Sequence, residues 1–231
     1  MREEQPIHLR NANMKTLTFI RHAESVSNAG GTTMPHEAIP LSALGHLQAR
    51  ELAATLTVEP SAIWMSGMAR THQTAAPFCE RFGIAPQVHA GLNEFSVIDP
   101  VLIEGLDGSQ RKPLVNAYWD TPNPQRRYGD KADTFAEFDA RVTSFIAQMN
   151  DLADNAVIFG HGIWFALLMW HLLGYQAYDA KDMRAFRRFQ LALPMPNCAV
   201  FSLHEHGGKW AVHADTIMAE RIAAVESAAT A

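Results

Sequence analysis

Lys15-Thr16-Leu17-Thr18-Phe19-Ile20-Arg21-His22-Ala23-Glu24-Ser25 is the stretch on which the reading of this chain turns. Its first six residues alternate and are rich in β-branched and aromatic side chains, a buried strand at residues 16–20. Four residues able to bind, donate or accept protons, Arg21, His22, Glu24 and Ser25, follow at once. Further strand-like runs bounded by breakers stand at 63–66, 87–89, 156–159 and 198–203, with a weaker one near 210–213. Helical patterns lie between them. Leu44, Leu47, Leu52 and Leu56 approximate one helix face, and Phe135, Phe138, Val142, Phe145, Ile146 and Met149 define a second more clearly. Thr134 and Glu137 stand at capping-box spacing at the start of that second helix. Strands alternating with helices predict an α/β fold, a three-layer α/β/α sandwich whose central sheet is mostly parallel.

At 231 residues the chain can bury one substantial core. The expected organisation is an N-terminal tail at 1–13 and a single domain at 14–231 with an insertion. Hydrophobic residues make up 48% and charged residues 19%, an ordinary globular balance. A formal charge of −5 argues against broad nucleic-acid binding, although a pocket can oppose the net field. Cys79 and Cys198 provide no disulfide framework and no paired metal spacing, so both read as small buried hydrophobes in a reducing, cytoplasmic setting. The polar run at 1–13 lacks an apolar centre, and no secretory signal is expected. Residues 156–174 are apolar enough to resemble a membrane span, but Gly160-His161-Gly162 divides them into strand, turn and helix. No membrane association is expected, and the Ala-rich stretch at 219–231 is expected to fray.

Residues 95–133 break the alternation with four prolines and several glycines. A structureless loop of that length is improbable inside a compact domain, so a small cap or lid over the site is expected. Its Arg111, Lys112, Tyr118, Trp119, Arg126, Arg127 and Tyr128 are candidate substrate contacts, and its aromatics could also serve a homodimer interface.

In open parallel sheets, ligands sit beyond the carboxyl ends of the strands. Past those ends stand Arg21, His22 and Asn28, then Ser66 and Arg70, then Glu94, then His161 and Gly162. Two histidines, two arginines and a glutamate converge on one edge. Arginine never ligates a metal, and its planar fork suits phosphate, so neither a metal nor a cofactor is expected. A phosphate dianion needs such cations. A neutral imidazole can attack phosphorus, and a carboxylic acid can protonate the leaving alkoxide. Ser66 and Thr74 read as structural, bonding local backbone or orienting Arg70. His204 and His206 share a strand face and could hold a metal, but no third ligand is evident and an exposed pair is expected. The basic run at 183–189 reads as an amphipathic surface, although Arg184 and Arg187 could meet a second anionic group on a substrate.

At these residues the sequence resembles the histidine phosphatase superfamily, in its phosphoglycerate mutase-like branch. The resemblance runs from about residue 15 to 201. It rests on R-H-x-E-[ST] at Arg21, His22, Glu24 and Ser25, on L-[ST]-x-x-G-x-x-Q-A at Leu41, Ser42, Gly45, Gln48 and Ala49, and on Ser66, Met68, Arg70, Thr71 and Thr74. Glu94 in L-x-E and His161 in Gly-His-Gly complete it. The resemblance implies that His22 is the phosphorylated nucleophile and that Arg21, Asn28, Arg70, His161 and Gly162 bind phosphate. It implies Glu94 as the proton donor, because Gly162 stands where another branch places its acidic residue. It also implies a phosphomonoesterase acting on a small phosphorylated substrate. Mutases of this family typically carry Trp before the Asn of the first motif; Ser27 here favours hydrolysis. A phosphoglycerate mutase-type isomerase and a non-catalytic phosphate-binding regulator remain the alternatives.

Overall fold

The computed structural model describes residues 14–230, so the 1–13 tail lies outside the described residues. Six strands form one sheet: β1 (Lys15–Arg21), β2 (Ile63–Met65), β3 (Gln87–Val88), β4 (Ala156–Gly160), β5 (Val200–His206) and β6 (Lys209–Ala214). Their order is β3-β2-β4-β1-β5-β6. The first four strands run parallel, β5 runs antiparallel to β1, and β6 antiparallel to β5. The three-layer, mostly parallel expectation is met.

Period-two alternation assigns each side chain to a face. Leu17, Phe19, Ala156, Ile158, Phe201 and Leu203 enter one core, whereas Ile20, Val157, Phe159 and Val200 enter the other. Helices α4 (Phe135–Gln148), α5 (Gly162–Leu172) and α6 (Ala180–Ala192) cover the first face. Phe19 stacks on Phe165 there, with ring centroids 4.0 Å apart. Helices α1 (Ala43–Thr55), α2 (Ala69–Phe82) and α7 (Thr216–Thr230) cover the second. The short helix α3 (Gly108–Asp120) lies within the 95–133 segment and sends Tyr118 and Trp119 into the first core.

Several expectations need correction. Leu47 is exposed, because the packed face of α1 runs through Gly45, Gln48, Ala49, Leu52 and Ala53. The Ala-rich C-terminal stretch is helical to residue 230 rather than frayed, since Met218 and Ile222 of α7 pack against the core beneath α1. Cys198 is buried, but Cys79 is half-exposed. The apolar 156–174 stretch is strand and helix as read, and no described helix is long and apolar enough to cross a membrane. The capping box of α4 is present in both directions.

Candidate active site

β1 delivers Arg21 to the sheet's carboxyl edge, and the chain beyond it is held by side chains of its neighbours. The amide of Ala23 donates to Thr74 Oγ1 at 3.0 Å, that of Glu24 to Gln48 Oε1 at 2.8 Å, and that of Ser25 to Asn28 Oδ1 at 3.2 Å. Three consecutive donors past the strand end are therefore satisfied without a ladder, which fixes the loop carrying His22.

His22 Nδ1 lies 2.7 Å from the Ala23 carbonyl oxygen. A carbonyl only accepts, so Nδ1 carries the proton and Nε2 keeps its lone pair. Burial, then Arg70 and Arg21, hold the imidazole well below its ordinary value and keep it neutral. Its carbonyl accepts from Asn197 Nδ2 at 3.1 Å. His161 is fully buried, its ring centroid 5.2 Å from that of His22, and burial followed by Arg70 lowers it in the same way. His161 Nε2 is 2.8 Å from Ser66 Oγ, which is itself 2.8 Å from Thr71 Oγ1. Nδ1 of His161 has no partner among the described residues. Ser66 thus orients His161 rather than Arg70, while Thr74 donates to the Arg70 carbonyl at 2.6 Å.

Arg21 donates through one guanidinium nitrogen to the Met195 carbonyl, and its buried Nε has no partner among the described residues. Gly162 lies beside it, where a Cβ would meet Nε at 3.4 Å in ordinary contact. Arg70 is buried and donates to the His36 carbonyl at 2.9 Å, with Met68 Sδ 2.9 Å from its other terminal nitrogen. Burial chiefly brings its pKa down to about 10, where it remains cationic at neutral pH. Neither arginine has an ion-pair partner among the described residues.

Glu94 caps the start of α5. Its carboxylate accepts from the amides of Ile163 at 3.0 Å, Trp164 at 2.9 Å and its neighbour Phe95 at 3.0 Å. Burial nevertheless outweighs those bonds and Arg70, and raises its pKa. Asn28 Oδ1 is occupied by Ser25 and Asn197, which leaves its amide NH2 as the free end.

These groups surround one cavity of about 470 Å³. Arg21, His22, Asn28, Arg70, Glu94 and Gly162 line it, and His161 stands directly behind the wall. His36, Asn197 and the Met195 carbonyl were absent from the expected set. His36 sits 3.4 Å from Arg70, and burial together with Arg70 lowers it to about 3. It opens a single 3-10 turn, His36–Ala38, with no pattern to mark it. Met195 and Asn197 precede β5, an antiparallel strand whose start abuts the end of β1.

The expected cap contacts largely go elsewhere. Arg111 alone of the seven reaches the neighbourhood, at the wall of an adjoining side cavity. Its guanidinium is spent on Gly31, Thr33, Leu106 and Ser27. Tyr118 and Trp119 are core, Arg126 lies over the Tyr118 ring, and Arg127 pairs with Glu137. Val115 of α3 faces the main cavity instead. His204 bonds Thr16, and no metal-holding cluster of His, Cys, Asp or Glu occurs among the described residues. Arg187 stacks on Trp119 at 4.8 Å and lines, with Arg184 and Arg188, a separate cleft between α3 and α6.

The chain is similar to several known proteins. A PE-PGRS family protein of Mycobacterium tuberculosis is 38% identical over 89 residues, which are 36% of this chain and only 15% of that protein. A probable phosphoglycerate mutase of Enterobacter sp. (strain 638) is 26% identical over 205 residues, covering 85% of this chain and 88% of the relative. The solved mycobacterial glucosyl-3-phosphoglycerate phosphatase superposes with a TM-score of 0.67 at 22% identity, over 87% of this chain and 98% of that one, which establishes likeness of fold. The histidine phosphatase superfamily (branch 1) matches residues 17–216, nearly the whole described domain. The chain belongs to the histidine phosphatase superfamily, branch 1.

Proposed function

We propose that this chain is a phosphomonoesterase that works through a phosphohistidine on His22. The observation that carries the reading is the pairing of a neutral, tautomer-fixed imidazole with buried Arg70 and half-buried Arg21, which share Glu94 as their nearby negative charge but form no direct ion pair among the described residues. Such cations are costly to bury alone and are stabilised when a phosphate dianion enters between them.

His22 Nε2 forms a bond to phosphorus as the P–O ester bond breaks. Arg21, Arg70 and the Asn28 amide donate to the phosphoryl oxygens as charge develops on them, and His161 backs the His22 ring from behind the wall. Glu94, protonated beside the incoming dianion, gives its proton to the departing alkoxide. Water then attacks phosphorus, loses a proton to Glu94, and the P–Nε2 bond breaks to release inorganic phosphate. The 95–133 segment serves as a cap that contributes Phe95, Val97 and Val115 to the walls.

Incubation with a labelled phosphomonoester followed by quenching tests the mechanism. An acid-labile, base-stable label on His22 is expected, and His22→Ala should lower turnover by at least about 1,000-fold, as loss of a nucleophile does elsewhere. Undiminished turnover in His22→Ala would overturn the reading. The relative named as a mutase supplies the second reading. Assay with 3-phosphoglycerate and its bisphosphate primer separates the two, because hydrolysis releases free phosphate and a mutase yields the isomer. Phosphate binding without turnover of any ester would indicate the regulatory alternative.

A further inference from the structure

Beyond the phosphate clamp, the cavity has a marked chemical character. We infer that the alcohol half of the substrate is an apolar alkyl or aryl group without a second anionic charge; this rests on the phosphatase reading above. The walls past Arg21 and Arg70 are mostly apolar, Ile39, Phe95, Val97, Val115, Ile163 and Leu193, with the neutral side chains of Ser27 and His36 among them. A side cavity of about 180 Å³ shares four of these apolar residues, Ile39, Phe95, Val97 and Val115, and adds Met34, Ile98 and Ile103. It offers apolar surface of the kind that takes up an alkyl chain or ring.

Charge in the remaining wall is already committed. Arg111 is the one cation bordering the side cavity, and its two terminal nitrogens are taken up by five oxygen acceptors from Gly31, Thr33, Leu106 and Ser27. Gln190 is the polar exception toward α6, and it accepts from Arg187. The other arginines of α6 line the separate cleft beside Trp119 and Asp120. A carboxylate or second phosphate on the alcohol would lose its water and meet only neutral hydroxyls, those of Ser27 and Ser96, with no uncommitted cation, and in the main cavity it would sit near Glu94. An unpaired buried group of that kind typically costs enough to lower binding about 10- to 100-fold.

Two aryl esters test this with leaving-group effects set against the expected result. 4-Carboxyphenyl phosphate has a better leaving group than 4-methylphenyl phosphate but carries the extra anion. Its methyl ester serves as the neutral control. We expect kcat/KM for 4-methylphenyl phosphate and for the neutral ester to exceed that for the carboxylate by at least about tenfold. A Val115→Lys variant, which places a cation in the wall, should narrow the gap by improving the carboxylate substrate. Equal or reversed preference in the unaltered protein would overturn the inference. So would efficient turnover of 3-phosphoglycerate or phosphoserine with poor turnover of the apolar esters, and the phosphatase reading would survive either result. Absence of both turnover and phosphohistidine with every ester would instead overturn that reading, and this inference with it.

Discussion

His161 and Glu94 show how a side chain's partners decide its chemistry. His161 is oriented through Nε2 by Ser66 Oγ and has an unpartnered Nδ1. Removing the hydroxyl in Ser66→Ala leaves both nitrogens of a buried ring without a protein partner, a loss of about 1–3 kcal/mol. The expected result is a Tm lower by several degrees, a reduced kcat and a nearly unchanged KM; unchanged kcat in a folded variant would show that Ser66 does not position His161. Glu94 is pulled two ways, since burial raises its pKa and three amides favour its anion. If it protonates the leaving oxygen, Glu94→Gln should slow alkyl phosphates about 100-fold or more while slowing 4-nitrophenyl phosphate far less. Equal slowing of both would remove it from the proton-donor role. Both residue types could be read in the sequence as site candidates, because the sheet edge where they fall follows from strand order. The bonds that tune them involve residues 66, 71, 163 and 164, and no local pattern pairs those.

Helix α1 explains a motif that carries no reacting group. Ser42 is its N-cap: the hydroxyl accepts from the Gly45 amide at 2.9 Å and donates to Glu24 Oε1 at 2.6 Å. The Ser42 amide donates to the Glu24 carbonyl, and Gln48 Oε1 takes the Glu24 amide. A Cβ on Gly45 would lie 1.9 Å from that same carbonyl oxygen. Leu41, Ser42, Gly45 and Gln48 therefore form a clasp that fixes the chain two residues beyond His22. Gly45→Ala normally gains helix propensity, roughly 1 kcal/mol, yet here it forces backbone apart. We expect a net loss of stability and a drop in kcat, measured by thermal melting and turnover; a stabilised, fully active variant would contradict the clasp. The spacing was legible from sequence as part of the family resemblance. Its purpose was not, because the partner lies across a loop.

At the scale of the whole molecule, the carboxyl edge of the sheet concentrates positive charge around neutral imidazoles. His22, His36 and His161 are all held below the ordinary histidine value, chiefly by burial and then by Arg70. Unfolding returns them to about 6.5, so below that pH the unfolded chain binds more protons than the folded one. Stability from these groups is present above about 6.5 and is lost as pH falls, toward about 3 in the case of His36. The raised Glu94 acts with the opposite sign, but it is one group against three. The denaturation midpoint should therefore be lower at pH 5.5 than at pH 7.5, and His36→Asn should flatten the difference. An equal or higher midpoint at pH 5.5 would show that the histidines are not held neutral.

Strand positions, the Thr134–Glu137 capping box and the convergence of Arg21, His22, Arg70, Glu94 and His161 on one edge were determined by sequence alone. Hydrophobic alternation and parallel crossovers leave little freedom there. Tertiary structure decided what surrounds them. Because β5 runs antiparallel to β1, residues preceding a strand, Met195 and Asn197, reach an edge where residues following parallel strands were expected. The 95–133 segment turned Phe95, Tyr118 and Trp119 inward, left Tyr128 exposed, and spent Arg111 on backbone carbonyls, leaving Val115 at the wall. Local spacing specifies which residues share a strand or helix face. Which carbonyl consumes a guanidinium, and which side chain is left to meet a substrate, is set by contacts between residues as far as 174 positions apart.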